Sequence, residues 1–232
     1  MDSLKLKNLE PFGVGGRREC YVHPENASRC VKVLRTDDRR TVRLSAKRRW
    51  VPLRWRRKYD NNADEARELH RVHLRIGDVM AAHLPLCHGF EETDLGPGLV
   101  LDLVRDHDGR ISRSIRELAS TGVDPGRLEP AYKEFSGFLL SHRILTRNLH
   151  DHNLVAKDLG NDRWRLVLID GVGDPAWLPL ARWIPSLGRR KVAKRLARAW
   201  PRIVSFAKSG GVTDELREKS SWDQGFLRHR GE

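Results

Sequence analysis

ILTRNLHDHNLVAKDLGNDRWRLVLIDGVGD, residues 144–174, decides how the rest of the chain is read. A polar loop, Thr146 to Asn153, runs into two short apolar runs, Leu154–Ala156 and Leu166–Ile169. Between them lies DLGND, whose Gly160 and Asn161 predict a hairpin turn. The second run ends at Asp170, followed by Gly171. The two ends of a hairpin lie on the same side, so Asn153 at its entrance and Asp170 at its exit can converge. An amide oxygen and a carboxylate are hard oxygen ligands of the kind Mg²⁺ takes beside phosphates. A hairpin with polar ends of no special chemistry has the same pattern, so the preceding chain must decide.

That chain begins with three predicted strands over residues 4–34, LKNLEPF, ECYVH and RCVKVL. Gly13, Gly15 and Gly16 fall between the first two, where glycine lets backbone N–H groups approach a phosphate closely. Glycine-rich hairpin tips without a ligand are also common. Lys32 lies inside the apolar run Cys30–Leu34, and alternation places Val31 and Val33 on one face with Cys30, Lys32 and Leu34 on the other. An ammonium there needs an anionic partner, unless the strand is an edge and the lysine faces water. Residues 62–80 predict a helix with Asn62 and Glu65 as a capping box and Ala66, Leu69, Val72, Ile76 and Val79 as its apolar stripe. Glu68 lies one step from that stripe and is the expected partner of Lys32. Glu65 is its rival, although capping offers Glu65 another role.

LPLCHGFEET and GPGLVLDLVRDHDG predict two more strands, the second ending in a polar link. Helices are expected at Ser112–Ser120, at Leu128–Ile144 and over 177–207, the last broken by Pro179, Pro185 and Pro201. The tail after Lys208 is polar.

Hydrophobic residues make up 39% of the 232-residue chain, enough for a core, and charged residues 32%. A net charge of +13 and a pI of 10.2 favour an anionic partner without choosing one. Residues 35–60, RTDDRRTVRLSAKRRWVPLRWRRKYD, interleave Trp50 and Trp55 with Arg and Lys. That composition suits nucleic acid, an acidic protein face, an anionic membrane surface or a solvated loop. Cys20, Cys30 and Cys87 are scattered without CxxC spacing, which predicts neither zinc nor a disulfide framework and fits free thiols in a cytoplasmic protein. MDSLKLKNLEPF has no basic region followed by an apolar run, so no signal peptide is expected, and no apolar run approaches a transmembrane span.

Five strands with one helix after the third, then a link and helices around the hairpin, resemble the protein-kinase fold. More closely, residues 8–205 resemble the PhoP regulatory network protein YrbL family. GVGGRRECYVHPENASRCVKVL carries the resemblance most specifically, with ETDLGPGLVLDLVRDHDG, LIDGVGD and WLPLARW beside it. The resemblance implies an α+β, kinase-like two-lobe fold. Residues 1–104 would form an N-lobe with a five-stranded antiparallel sheet, one helix and the 35–60 insert. Residues 105–208 would form a small, mainly helical C-lobe, and 209–232 a tail. It implies ATP and Mg²⁺ as cofactors. Gly13, Gly15 and Gly16 would cover the phosphates, and Lys32 would contact them while paired with Glu68. Asp102 and Val104 would offer backbone groups to adenine, and Asn153 and Asp170 would hold Mg²⁺. Where kinases place the catalytic Asp, five residues before the metal-binding Asn, this chain has Asn148, which cannot take a proton. Asp151 is the nearby carboxylate, with His150 and His152 beside it. An atypical phosphotransferase, a nucleotide-binding pseudokinase and a binder of anionic surfaces through the insert all remain open.

Overall fold

The computed structural model describes residues 3–15, 17–35, 61–147, 149–174 and 180–208. Strands β1 (Gly13–Val14), β2 (Arg18–His23), β3 (Asn26–Leu34), β4 (Cys87–Thr93) and β5 (Gly96–Asp102) form an antiparallel sheet in the order β1-β2-β3-β5-β4. Between β3 and β4 runs α1 (Asn61–Ile76), continued by a 3₁₀ segment, Gly77–Ala82. This is the sheet with one helix that a kinase-like N-lobe requires. β3 sits between β2 and β5, so Lys32 lies on a central strand and not on an edge. Alternation sorts the β3 side chains as expected. Val31 and Val33 join Leu4, Leu6, Tyr21 and Val100 in a small apolar cluster on one face. Cys30 joins the main core on the other.

The main core continues without a break into the second half of the chain. There β6 (Arg113–Ser114), β7 (Leu154–Asp158) and β8 (Trp164–Leu168) make a three-stranded sheet. Against it pack α2 (Ile115–Ser120) and α3 (Glu129–Ser141), with α5 (Pro185–Lys208) on both of these helices and α4 (Leu180–Trp183) on α5. Phe135 and Leu139 of α3, Leu166 and Leu168 of β8, and Val192, Leu196 and Ile203 of α5 are all buried in it. His83 locks the halves together: its Nδ1–H donates to the Leu166 carbonyl at 2.8 Å, and its own carbonyl accepts from Leu168 N–H at 2.9 Å. Among the described residues no helix is long and apolar enough to cross a membrane.

Four expectations about elements need correction. LKNLEPF forms no strand, because Leu9 N–H folds back onto the Leu6 carbonyl at 2.9 Å, and the first strand is Gly13–Val14. Pro201 does not break the last helix but lies inside α5. Leu196, Ala199 and Ile203 on either side of it are buried, and Trp200 stacks on Tyr132 at 4.5 Å, so packing outweighs the lost backbone bond. Val79 is 59% exposed, because the chain tightens into the 3₁₀ segment after Gly77 and leaves the helical stripe. Asn62 and Glu65 do not form a capping box. Asn61 is already helical, so both lie within α1, and Asn62 Nδ2 donates to the Lys32 carbonyl at 2.7 Å.

Gly98 on β5 is a close-approach position. A Cβ there would lie 2.4 Å from Val31 Cγ1 and 3.1 Å from Thr93 Cγ2. Val31 is fully buried and β-branched, so it has little room to move. Gly98→Ala should therefore cost about 1–3 kcal/mol through overpacking, read as a lower denaturation midpoint with the m-value unchanged.

Candidate functional site: a cleft between the two sheets

A cleft of about 370 Å³ opens where the glycine hairpin, β3, the chain after β5 and the β7–β8 hairpin meet. Gly13, Gly15, Lys32, Asp102, Val104, Asn153 and Asp170 all line it, together with Arg18 and His152. Gly16 and Asn148 lie outside the described residues, as do 36–60 of the basic insert and the 209–232 tail.

The floor of the cleft is an ionic cluster. Lys32 is buried and donates from Nζ to Glu65 Oε1 and to the Ile169 carbonyl, each at 2.8 Å. The ammonium thus ties α1 to the residue just before Asp170. Burial is the strongest single influence and disfavours its charge, but the negative groups around it, Glu65 first and then Asp170, together raise its pKa. Arg18 reaches in from β2, donating from Nη1 to Glu65 Oε2 and from Nη2 to Asp170 Oδ2. Burial pushes the Asp170 carboxyl up, but the charges of Arg18 and Lys32 and the bonds from Arg18 and Gly171 N–H reverse this and hold it at about 2.

The expected Lys32–Glu68 pair is not formed. Glu65, one helical turn earlier, takes Lys32, whereas Glu68 faces away and binds Arg71 at 2.8 Å and Arg182 of α4 at 2.6 Å. Glu68 also packs against the bend after Asp170, where a Cβ on Gly173 (φ +111°) would lie 2.8 Å from Glu68 Cγ. Glu65, the rival partner in the sequence, is the one that takes Lys32. Arg18 was missed altogether, although period-2 alternation places it on the same face of β2 as Cys20, and Cys20 stands opposite Lys32 across the strand pair.

The hairpin brings Asn153 and Asp170 together through Ile169 N–H, which donates to the Asn153 carbonyl at 3.0 Å. Mg²⁺ between them does not fit this arrangement. Asp170 Oδ2 is held by Arg18, and Oδ1 accepts from Gly171 N–H at 2.6 Å, so a divalent ion would meet a carboxylate whose charge a cation already matches. Among the described residues, no group of three or more His, Cys, Asp or Glu could hold a metal ion.

Asp151 is not placed to act as a base. Arg116 clasps it bidentately, Nε to Oδ2 at 2.7 Å and Nη2 to Oδ1 at 2.8 Å, and it is buried outside the residues that line the cleft. Burial would raise its pKa, but the bonds and charge of Arg116 lower it. At the link, Asp102 N–H is spent on the Leu86 carbonyl and the Val104 carbonyl accepts from Ser112 N–H. The Asp102 carbonyl, which accepts from the Cys30 thiol at 3.9 Å, and Val104 N–H are the groups of this link that a base in the cleft would meet. Cys20, Cys30 and Cys87 are free thiols, and burial pushes the Cys30 pKa up to about 12, so it is an inert wall residue.

His152 is held neutral beside this cluster. Burial first, then the Arg116 charge, pushes its pKa down to about 4. Burial is also the leading cause that lowers His83 and His150. The unfolded chain takes up these protons near pH 6.5, whereas folded His152 resists until about 4. Its contribution is therefore complete above pH 6.5 and is lost as pH falls through that window. Denaturant midpoints measured from neutral pH down to about pH 4 should fall, and His152→Gln should flatten the fall.

The family model for PhoP regulatory network protein YrbL matches residues 4–204. The chain belongs to this family. Two members, each called uncharacterized protein YrbL, come from Escherichia coli K12 and Shigella flexneri. Each is 28% identical to this chain over 208 residues, covering 87% of both chains. Among solved structures, the crystal structure of Rad53 1–466 in complex with AMP-PNP aligns with 90% of this chain at 12% identity and a TM-score of 0.45. This chain spans 55% of that one. The kinase-like fold of this family member rests on its own strand order and on the helix between β3 and β4.

Proposed function

We propose that this family member binds a nucleotide in the cleft and acts as a regulatory protein, with residues 1–104 and 105–208 as the two walls. The observation that carries this reading is the Lys32–Glu65 pair, buried at the base of a cleft that a glycine hairpin covers. A lysine held rigid by a carboxylate, with glycine backbone above it, is an arrangement suited to phosphate oxygens. The family's description as a PhoP regulatory network protein supports a regulatory role.

Phosphoryl transfer is not part of the proposal. Each candidate carboxylate is already paired: Asp151 with Arg116, and Asp170 with Arg18. Asn148, at the kinase base position, is an amide with no basicity to offer.

Calorimetric titration with ATP tests the reading. The protein should bind, and Lys32→Met should weaken binding roughly tenfold or more, as loss of a charge-assisted hydrogen bond worth about 1.5–3 kcal/mol requires. Equal affinity in the folded variant would place the nucleotide elsewhere.

A further inference from the structure

We propose that Arg18 stands in for the cleft's metal ion, so that the phosphates of a nucleotide are bound without a divalent cation. This rests on the nucleotide reading above and adds a property which that reading does not require.

The geometry is specific. The Arg18 side chain is 11% exposed and bridges Glu65 and Asp170, with Asn62 Oδ1 at 3.4 Å from Nη1. Its backbone is equally fixed: it pairs with Leu34 across the ladder, and its carbonyl accepts from Gly15 N–H at 2.8 Å. The guanidinium is therefore a built part of the glycine hairpin's foot and not a wandering surface side chain.

Charge balance gives the arrangement its function. In kinase sites a carboxylate in this place faces the phosphates and would repel them, and the metal ion removes that repulsion. Here two cations, Lys32 and Arg18, already match two carboxylates, Glu65 and Asp170. A polyphosphate entering the cleft meets no uncompensated carboxylate in this cluster. Guanidinium also presents five N–H donors in a planar fork suited to phosphate oxygens, and its bonds to Asn62, Glu65 and Asp170 run through the two terminal nitrogens. A divalent ion would meet the opposite situation, a positive charge lodged on the carboxylate it needs.

The test is paired calorimetric titration of the intact protein with ATP, once in Mg²⁺ and once in EDTA. Equal affinity in the two buffers is expected. Arg18→Ala should then lose about tenfold in EDTA and regain it with Mg²⁺, since the ion can reach the exposed carboxylate. Wild-type binding in Mg²⁺ that disappears in EDTA would overturn the inference and leave the nucleotide reading standing. So would a folded Arg18→Ala whose affinity in EDTA is unchanged. Absence of binding in both buffers would remove the nucleotide reading itself. The wild-type pair of titrations decides even if the variant fails to fold.

Discussion

Glu65→Ala should destabilise the protein by about 3–5 kcal/mol, the range found when one partner of a buried ion pair is removed. The cost is high because Glu65 compensates two cations at once. Without it, Lys32 and Arg18 remain desolvated side by side, with Asp170 as the carboxylate left to both and the Ile169 carbonyl and Asn62 Oδ1 as neutral acceptors. Glu65→Gln should cost less, since the amide oxygen still accepts a hydrogen bond. Glu68→Ala should cost clearly less than Glu65→Ala, because its partners Arg71 and Arg182 are 49% and 28% exposed and can turn to water. Urea titration of the three variants checks the ranking. A larger loss for Glu68→Ala than for Glu65→Ala would contradict the pairing described here.

Asp151→Ala should also cost several kcal/mol, about 3 by the same reasoning, because Arg116 loses its bidentate carboxylate. Arg116 is 15% exposed on its side chain and Asp151 9%. The bidentate pair fastens α2 to the loop that enters the hairpin, through the side chains and through Arg116 N–H on the Asp151 carbonyl at 3.4 Å. ATP affinity of the folded variant should be unchanged, since Asp151 does not line the cleft. A variant of normal stability that had lost ATP binding or turnover would return Asp151 to a chemical role.

The parts of this molecule that were legible in the sequence are those set by local periodicity. Alternation along Cys30–Leu34 separated Lys32 from Val31 and Val33, and the turn residues Gly160 and Asn161 placed the hairpin that carries Asn153 and Asp170. Four of the five strands and the helix could be read from strand patterns and turn chemistry, whereas LKNLEPF turns back on itself and the edge strand is the short Gly13–Val14 after it. What failed depended on exact helix phase or on contacts distant in sequence. One assumed cap at Asn62 shifted the choice from Glu65 to Glu68, a single turn of α1. Arg18 and Asp170 are separated by 152 positions, and nothing local to either predicts that they meet. Asp151 looked available because its partner Arg116 lies 35 positions earlier on another element. Pro201 looked like a helix breaker because the packing that overrides it comes from Tyr132 on a different helix.

The central claim is that the cleft takes a nucleotide by its phosphates over Lys32 and Arg18. A crystal structure of the protein grown with a non-hydrolysable ATP analogue tests it most directly. The phosphates should lie between the Gly13–Gly15 backbone and Lys32 Nζ, with Arg18 still on Asp170 and the base beside the Leu101–Val104 backbone. An analogue bound elsewhere on the surface, or a cleft that stays closed to it at saturating concentration, would contradict the account.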